Sequence, residues 1–270
     1  MDASAATVPD HDADLKLLSE AVCAAGEVAL SHYGGKPRHW NKADGSPVSE
    51  ADLAVDAALS GALRRARPQY GLLSEEHASE PGAAPRTFVI DPIDGTRAFL
   101  GGKHVWSVVA AVIEDGRPVA AAVLEPVAGA LYTARRGGGA HRNGVLLGAV
   151  QRDDLAGATV AMPGPMFREG GLAALGIVRG PQVPSLALRL VRVAEARLDG
   201  VITKAGPHHW DLAAADLIVQ EAGGTLTDLA GTVPRYDSSD TSHPPVVAAS
   251  RSLAGRLCHK AAAAYATVSG

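Results

Sequence analysis

Two aspartates three positions apart are the strongest sign of chemistry in this 270-residue sequence. Asp91 and Asp94 follow the apolar run 88–90, enclose a proline, and are followed by Gly95 and Thr96. Proline fixes φ, glycine lets the backbone approach a ligand closely, and Thr96 can begin a helix whose free N–H groups point outward. The segment therefore predicts a place where a cation and an anion are bound side by side.

Further carboxylates extend this acidic set. Glu75 and Glu76 end an earlier apolar segment, and Asp211 opens a helical pattern that runs to Ala222. Adjacent carboxylates repel unless a cation shares their charge or one faces water, so Glu75 is assigned to metal and the role of Glu76 stays open. Oxygen ligands suit Mg²⁺ or Mn²⁺, whereas Zn²⁺ prefers nitrogen or sulfur. The alternative is that the aspartates cap turns and that Asp211 complements its helix dipole.

Two other motifs are assigned ordinary structural roles. His208 and His209 form a pair without thiolates or a third histidine, which predicts polar contacts rather than metal ligation. Gly137, Gly138 and Gly139 lack the helix, lysine and serine of a phosphate-binding loop, and the run predicts a hairpin turn.

Helical periodicity predicts a first helix from Leu15 until Gly34, and a capping box at Ser49 begins a second that Pro68 ends. Short apolar runs predict strands that carry the acidic pairs at their ends, and the dipeptide Asp115-Gly116 predicts a hairpin. Later strands are expected near 158–162, 199–203, 225–228 and 246–249, and later helices near 185–196, 211–222 and 251–265. An α/β (α+β) fold of two lobes follows, with residues 1–150 carrying the main metal motif and 151–270 carrying Asp211 and the substrate contacts.

Composition limits the function classes. A net charge of -4 argues against a protein that binds a nucleic-acid polymer, because that requires a concentrated basic face. Only Cys23 and Cys258 are present, both in apolar helical patterns, which predicts buried reduced thiols and no disulfide framework. The sequence shows neither a membrane-spanning apolar run nor a signal peptide, so a cytoplasmic location is expected.

These motifs resemble the inositol monophosphatase family of lithium-sensitive, magnesium-dependent phosphatases. Glu75 and Glu76 resemble its acidic pair, and the run 91–96 with Phe99 resembles its central signature. The run 210–211 followed by 221–224 resembles its second signature. The resemblance implies a two-lobed, layered αβαβα sandwich of the sugar-phosphatase type and hydrolysis of small phosphate monoesters.

The same resemblance implies the role of each site residue. Two or three Mg²⁺ ions, which Mn²⁺ can replace, are expected on Glu75, Asp91, Asp94, Asp211 and the carbonyl of Ile93. The expected catalytic residues are Asp52 and Thr96, which orient the attacking water, and Glu75. The expected substrate contacts are the N–H groups of Gly95 and Thr96, the closing loop with Lys42, and Ala187 and Lys204. One ion would lower the pKa of a bound water and another would stabilise the departing oxygen.

The substrate depends on position 204. Inositol-hydrolysing relatives carry a glutamate seven residues before the aspartate that matches Asp211, and Lys204 stands there in this chain. Lysine cannot accept hydrogen bonds from ring hydroxyls but can attract a second phosphate. The segments 42–48 and 206–211 resemble the 3'(2'),5'-bisphosphate nucleotidase branch, so adenosine 3',5'-bisphosphate is the expected substrate. Ala98 departs from that branch, which often has an acid there, and inositol-1-phosphate and histidinol phosphate stay open.

An alternative from another class is a non-catalytic protein that uses the acidic pocket to hold a divalent ion or a nucleotide. A family member that had lost its catalytic activity could lose Asp52 or Thr96 without unfolding, whereas this chain has the expected residue at every catalytic and metal-binding position. The sequence therefore favours an enzyme. Relatives in the family are often dimers, so the resemblance allows a homodimer, but the sequence itself does not indicate the oligomeric state.

Overall fold

The structure is a computed structural model that describes residues 10–149 and 151–269. Its helices are α1 (His11–His32), α2 (Glu50–Ala66), α3 (Thr96–Leu100), α4 (Gly164–Arg168), α5 (Leu186–Ala194), α6 (His209–Glu221) and α7 (Arg251–Ser269). Its strands are β1 (His39–Asn41), β2 (Pro47–Ser49), β3 (Gly71–Ser74), β4 (Arg86–Asp94), β5 (Ser107–Glu114), β6 (Arg117–Glu125), β7 (Ala130–Arg135), β8 (Ala140–Arg142), β9 (Val145–Leu146), β10 (Thr159–Ala161), β11 (Val178–Arg179), β12 (Gly200–Ile202), β13 (Gly224–Asp228) and β14 (Val246–Ser250).

The larger sheet has the strand order β3-β4-β5-β6-β7-β8-β9. Strands β3 and β4 are parallel and the later pairs are antiparallel. Because side chains alternate along a strand, Phe88 and Ile90 pack with α1 and α2, while Val89 packs with α5 and α6 on the opposite face. Because both faces of the larger sheet are covered by helices, nearly every side chain of β4 to β6 is buried, and these strands are almost continuous apolar runs.

The smaller sheet has the order β11-β10-β12-β14-β13. Its Val201 and Ala248 join the core around α5 and α6, whereas Ile202 and Val247 pack with α7. The layers are therefore α1 and α2, the larger sheet, α5 and α6, the smaller sheet, and α7. The layered αβαβα fold expected from the sequence is confirmed. The division into 1–150 and 151–270 stays a prediction, and Val150 lies outside the described residues.

The local elements follow their sequence signals. Ser49 and Asp52 form the reciprocal capping box of α2. The hairpin between β5 and β6 turns at Asp115 and Gly116, whose φ angles are 52° and 73°, and positive φ at both positions is the type I′ geometry. The glycine run 137–139 connects β7 to β8 in an antiparallel hairpin, as expected.

The two cysteines are free, but the expectation that both are buried is wrong for Cys23. Cys258 is buried against the smaller sheet, while Cys23 is exposed on α1. The stripe of α1 that meets the sheet runs through Leu18, Val22 and Ala25, and position 23 points away from it. Among the described helices, none combines the length and apolar character that a membrane crossing requires.

The central helix α6 carries a buried carboxylate with a testable pH response. Asp216 has no solvent exposure and accepts hydrogen bonds from Gln220 at 2.6 Å and from Tyr236 at 2.9 Å. Burial raises the pKa of Asp216 to about 6, although these hydrogen bonds and the charge of Arg117 oppose the shift. The raised pKa means that the folded state disfavours the charged form.

We expect Asp216→Asn to stabilise the protein more at pH 7 than at pH 4. The cost of burying the charge is fully present above the folded pKa, falls as the pH drops from about 6 towards 3.8, and disappears below 3.8, where the unfolded state is also protonated. The gain at pH 7 is up to about 3 kcal/mol, from a shift of roughly two pKa units. Urea unfolding of both proteins across this pH range measures it. If the difference in unfolding free energy between the two proteins did not change with pH, the raised pKa of Asp216 would be contradicted.

Candidate metal and phosphate site

An irregularity in β4 brings Asp91 and Asp94 to one face. Asp91 pairs with Val109 and Asp94 pairs with Ser107, so three steps on β4 match two steps on β5. In a regular strand residues three apart point to opposite faces, and one extra residue cancels that alternation. Both aspartates therefore approach the layer that contains α5 and α6.

The other acids reach this place from neighbouring elements. Glu75 follows β3, which is parallel to β4, so the carboxyl ends of the two strands lie at the same edge. Asp211 lies in the first turn of α6, where its Oδ2 accepts the N–H of His208 at 2.5 Å. Carboxylate oxygens of Asp91, Asp94 and Asp211 all lie within 4.8 Å of one another. The sequence-predicted convergence of these three residues is present in the structure.

A cavity of about 360 Å³ opens at these residues. Its lining includes Glu75, the three aspartates, Ile93, Gly95 and Thr96. Two larger cavities of about 460 Å³ are present in the described chain, but no cluster of three close metal-ligating groups lines either of them. The chemistry of the lining, rather than the size of the cavity, identifies the site.

The N-terminus of α5 holds Asp94 in place. The Oδ2 atom accepts the Ser185 hydroxyl at 2.5 Å and the Ala187 N–H at 2.7 Å, and Oδ1 accepts the Leu186 N–H at 3.0 Å. The Ser185 hydroxyl also contacts that of Ser107 at 2.9 Å. These contacts fix the carboxylate orientation, as the partners of a metal ligand should.

The conformation of Gly95 allows this close approach. Its φ is 97°, a left-handed conformation, and a Cβ there would stand 3.4 Å from the backbone of Ser185. An L side chain would therefore be strained by the backbone conformation, although its Cβ would only reach van der Waals contact with Ser185.

Asp52 and Thr96 meet inside the protein, as the sequence predicts. Thr96 Oγ1 lies 3.2 Å from Asp52 Oδ1 and 3.1 Å from the Ile93 carbonyl. The other carboxylate oxygen of Asp52 accepts the N–H of Ser49 at 2.8 Å and its hydroxyl at 2.6 Å. One oxygen thus caps α2, while the other reaches Thr96.

The ammonium of Lys42 contacts both carboxylates of the acidic pair, Glu75 and Glu76. Its ammonium donates to Glu75 at 2.8 Å and to Glu76 at 2.9 Å. Ser74 orders the same segment, because its hydroxyl donates to Asp56 at 2.5 Å and accepts the Glu76 N–H at 3.1 Å. The Lys42 ammonium therefore offsets part of the negative charge of these two glutamates.

The acids of the site resist ionisation in the absence of further cations. Burial raises the pKa of Asp211 to about 8, and the charge of Asp94 adds to the shift. Burial and the charge of Glu75 raise the pKa of Asp91, and burial raises that of Asp94. Burial, opposed by Lys42 and reinforced by Glu75, raises the pKa of Glu76 to about 7. A bound divalent cation would reverse these shifts by stabilising the charged forms.

The donor set fits Mg²⁺ or Mn²⁺. Asp91 Oδ1 is buried and has no hydrogen-bond partner within the described residues. An orphaned buried carboxylate oxygen is costly unless a cation contacts it. All nearby ligand atoms are oxygens, as these hard cations prefer.

The remaining sequence-predicted residues lie around this centre or outside its cavity. Ala187 uses its N–H on Asp94, as described above. Lys204 lines a separate cavity of about 190 Å³. His208 contacts Thr241 at 2.8 Å and stacks on Trp210, and His209 contacts His243 at 2.8 Å. Both histidines make the polar contacts that the sequence suggested.

Ser185, Ser107 and Arg189, whose charge attracts Asp94, were not predicted from the sequence. Ser185 had a usable signal, since serine after Pro184 and before a helical pattern is typical of an N-cap. Ser107 and Arg189 had none, because their proximity to Asp94 arises from tertiary packing.

Comparison with known proteins assigns the chain to a family. Residues 10–266 match the model described as the inositol monophosphatase family. A Streptomyces griseus protein named glucose-1-phosphate thymidylyltransferase is 36% identical over 235 residues, covering 82% of this chain and 88% of that protein. A Mesorhizobium japonicum protein named inositol-1-monophosphatase is 32% identical over 239 residues, covering 83% of this chain and 88% of that protein.

A solved structure has the same fold. The extragenic suppressor protein suhB from Bartonella henselae superposes with a TM-score of 0.83 at 28% identity, covering 92% of this chain and 98% of that chain.

Proposed function

The chain belongs to the inositol monophosphatase family of metal-dependent phosphatases, and we propose that it removes one phosphate from a small bisphosphorylated substrate such as adenosine 3',5'-bisphosphate. The observation that supports hydrolysis is the cluster of Asp91 and Asp94, which are buried, with the half-buried Asp211, together with the orphaned oxygen of Asp91. The non-catalytic alternative is set aside because the family is enzymatic.

The residues that would hold Mg²⁺ are Asp91, Asp94, Asp211, Glu75 and the Ile93 carbonyl. When bound, the metal ions activate water and neutralise charge on the phosphate and the leaving oxygen. We propose two or three ions, with Mn²⁺ as a substitute. The α5 N-terminus contributes by keeping Asp94 oriented before the ions arrive.

Asp52 and Thr96 are proposed to position the nucleophilic water. The threonine hydroxyl donates a hydrogen bond to Asp52, and its oxygen can accept a hydrogen bond from water. A proton taken from the water by the hydroxyl oxygen would be balanced by transfer of the hydroxyl proton to Asp52. Burial raises the pKa of Asp52, which suits a group that accepts a proton during the reaction. Gly95 and Thr96 N–H groups are proposed to contact the phosphate, and Lys42 is proposed to move from the glutamates to the substrate.

We expect phosphate release from adenosine 3',5'-bisphosphate to exceed that from inositol-1-phosphate and histidinol phosphate. The expected ratio of kcat/KM is about tenfold, the value of one charge-assisted hydrogen bond to the second phosphate. Phosphate release from the three substrates with Mg²⁺, and with EDTA as the blank, measures it. A preference for inositol-1-phosphate would refute the substrate assignment, and no release from any of them would refute the hydrolase proposal.

Inositol-1-phosphate is the second candidate. The Mesorhizobium japonicum relative named inositol-1-monophosphatase supports it. The lysine at position 204 argues against it, since ring hydroxyls would meet an ammonium donor instead of a carboxylate acceptor.

Four finer expectations from the sequence stay proposals. They are lithium sensitivity, a homodimeric assembly, a cytoplasmic location and the lack of a nucleic-acid partner. The net charge of -4 supports the last of these.

A further inference from the structure

The cavity that Lys204 lines has a second cation. Arg189 of α5 lines it with Lys204, and Gln182 adds an amide. The segment 181–184 connects this cavity to the metal site, because Pro181 lines the cationic cavity and Pro184 lines the other. The charge of Arg189 also attracts Asp94 and opposes the effect of burial on the Asp94 pKa. The two cavities are therefore neighbours in space as well as along the chain.

The cations of this cavity are available to a ligand. Arg189 donates through Nε at 3.0 Å and Nη2 at 2.6 Å to the Val183 carbonyl, which orients the guanidinium. Its Nη1 has no hydrogen-bond partner among residues 10–149 and 151–269. Over the same residues, no carboxylate lies within ion-pair distance of Arg189 or Lys204. Arginines elsewhere in the described chain do form such pairs, for example Arg192 with Glu125 at 2.7 Å.

Two more guanidinium groups lie at the rim. Nitrogens of Arg168 and Arg179 stand 3.3 Å and 3.5 Å from the position of a Cβ on Gly164, next to the lining residue Pro163. The Nε atom of Arg179 is buried without a partner in the described chain. Like charges that converge without an acid between them repel, and a bound anion would remove that cost.

We propose that this cationic cavity binds a second phosphate of the substrate while the first lies at the metal site. The inference rests on the proposed function and identifies the substrate class as a bisphosphorylated small molecule. A guanidinium fork and an ammonium together match the geometry and charge of phosphate. A neutral ring hydroxyl would bring no negative charge to either cation.

The kinetic test compares adenosine 3',5'-bisphosphate with adenosine 3'-monophosphate. In the native enzyme the bisphosphate is expected to have the higher kcat/KM. Arg189→Gln and Lys204→Gln should each lower the ratio of kcat/KM for the bisphosphate to kcat/KM for the monophosphate about tenfold. Lys204→Arg, which keeps the charge, should have a ratio close to that of the native enzyme. Lys260→Gln, which removes an exposed charge from α7, is the matched control and should keep the native ratio. A ratio unchanged in both glutamine variants would overturn the proposal.

A binding test separates this inference from the proposed function. Calorimetric titration of adenosine 5'-monophosphate and of adenosine, in EDTA, measures the phosphate contact without turnover or metal. We expect the monophosphate to bind more tightly than adenosine to the native protein and to Lys260→Gln, and this advantage to shrink about tenfold in Arg189→Gln and Lys204→Gln. If the enzyme releases no phosphate but keeps this pattern, the hydrolase proposal fails and the phosphate site stands.

Equal binding of the two ligands to the native protein would overturn the phosphate site even if hydrolysis is observed. Circular dichroism of each variant verifies folding, and Lys204→Gln, at an exposed position, gives the result if Arg189→Gln does not fold.

Discussion

Changing Asp94 to asparagine is expected to lower kcat/KM by at least about a hundredfold at fixed Mg²⁺, because loss of even an outer partner of a metal ligand costs roughly 10–100-fold. The substitution is nearly isosteric, but it removes one ligand oxygen and the negative charge. In the native protein Leu186 N–H donates to one carboxylate oxygen, and the Ser185 hydroxyl and Ala187 N–H donate to the other. The asparagine N–H₂ would replace one of these oxygens and face donors in either orientation. Both effects act on the metal site.

Initial rates over a range of Mg²⁺ concentrations measure this change. Much of the loss should be recovered at high Mg²⁺ if it arises from weaker metal binding. Asp153→Asn, at an exposed loop position, is the matched control and should retain native kinetics. Unaltered turnover of Asp94→Asn would exclude Asp94 as an essential ligand.

Asp52→Asn is expected to lower kcat roughly 10²–10⁴-fold, the usual contribution of a positioned proton acceptor. The fold should survive. An asparagine with its carbonyl oxygen at the Oδ2 position still accepts the Ser49 contacts, and its N–H₂ then donates to the Thr96 hydroxyl. The substitution therefore keeps the α2 cap while it reverses the hydrogen bond that would carry the proton.

A double-mutant cycle gives this expectation its control. Thr96→Val should cost about as much as Asp52→Asn, and the double variant should lose little more, because residues that act as a unit are not additive. Thr96→Ser keeps the hydroxyl and should keep most of the activity. Independent, additive losses in kcat would contradict a shared role.

The sequence predicted the parts of the fold that have long periodic patterns. Helices α1, α2 and α6 and the hairpin at Asp115 lie where periodicity and turn chemistry indicated. The short strands β9 and β11 could not be predicted, since two residues give no period. Their pairing is decided by the neighbouring strands.

The acidic residues of the site could be predicted from the sequence, but the residues that position them could not. Asp91 and Asp94 were visible as a motif, but the extra residue that aligns them is a property of the pairing with β5. Likewise, the contact of Lys42 with Glu75 joins residues 33 positions apart, and the convergence of Arg189 with Lys204 depends on how α5 packs against the smaller sheet. Local sequence carries no signal for such contacts.

Asp91, Asp94 and Asp211 are expected to bind a divalent cation together. Crystals of the protein grown with Mn²⁺ test it directly, because the anomalous scattering of manganese locates the ion independently of the protein atoms. The expected result is a peak about 2.0–2.3 Å from a carboxylate oxygen of each aspartate, the range for hard cations on oxygen ligands. A map without a peak among these three side chains at saturating Mn²⁺ would contradict a metal site on the three aspartates.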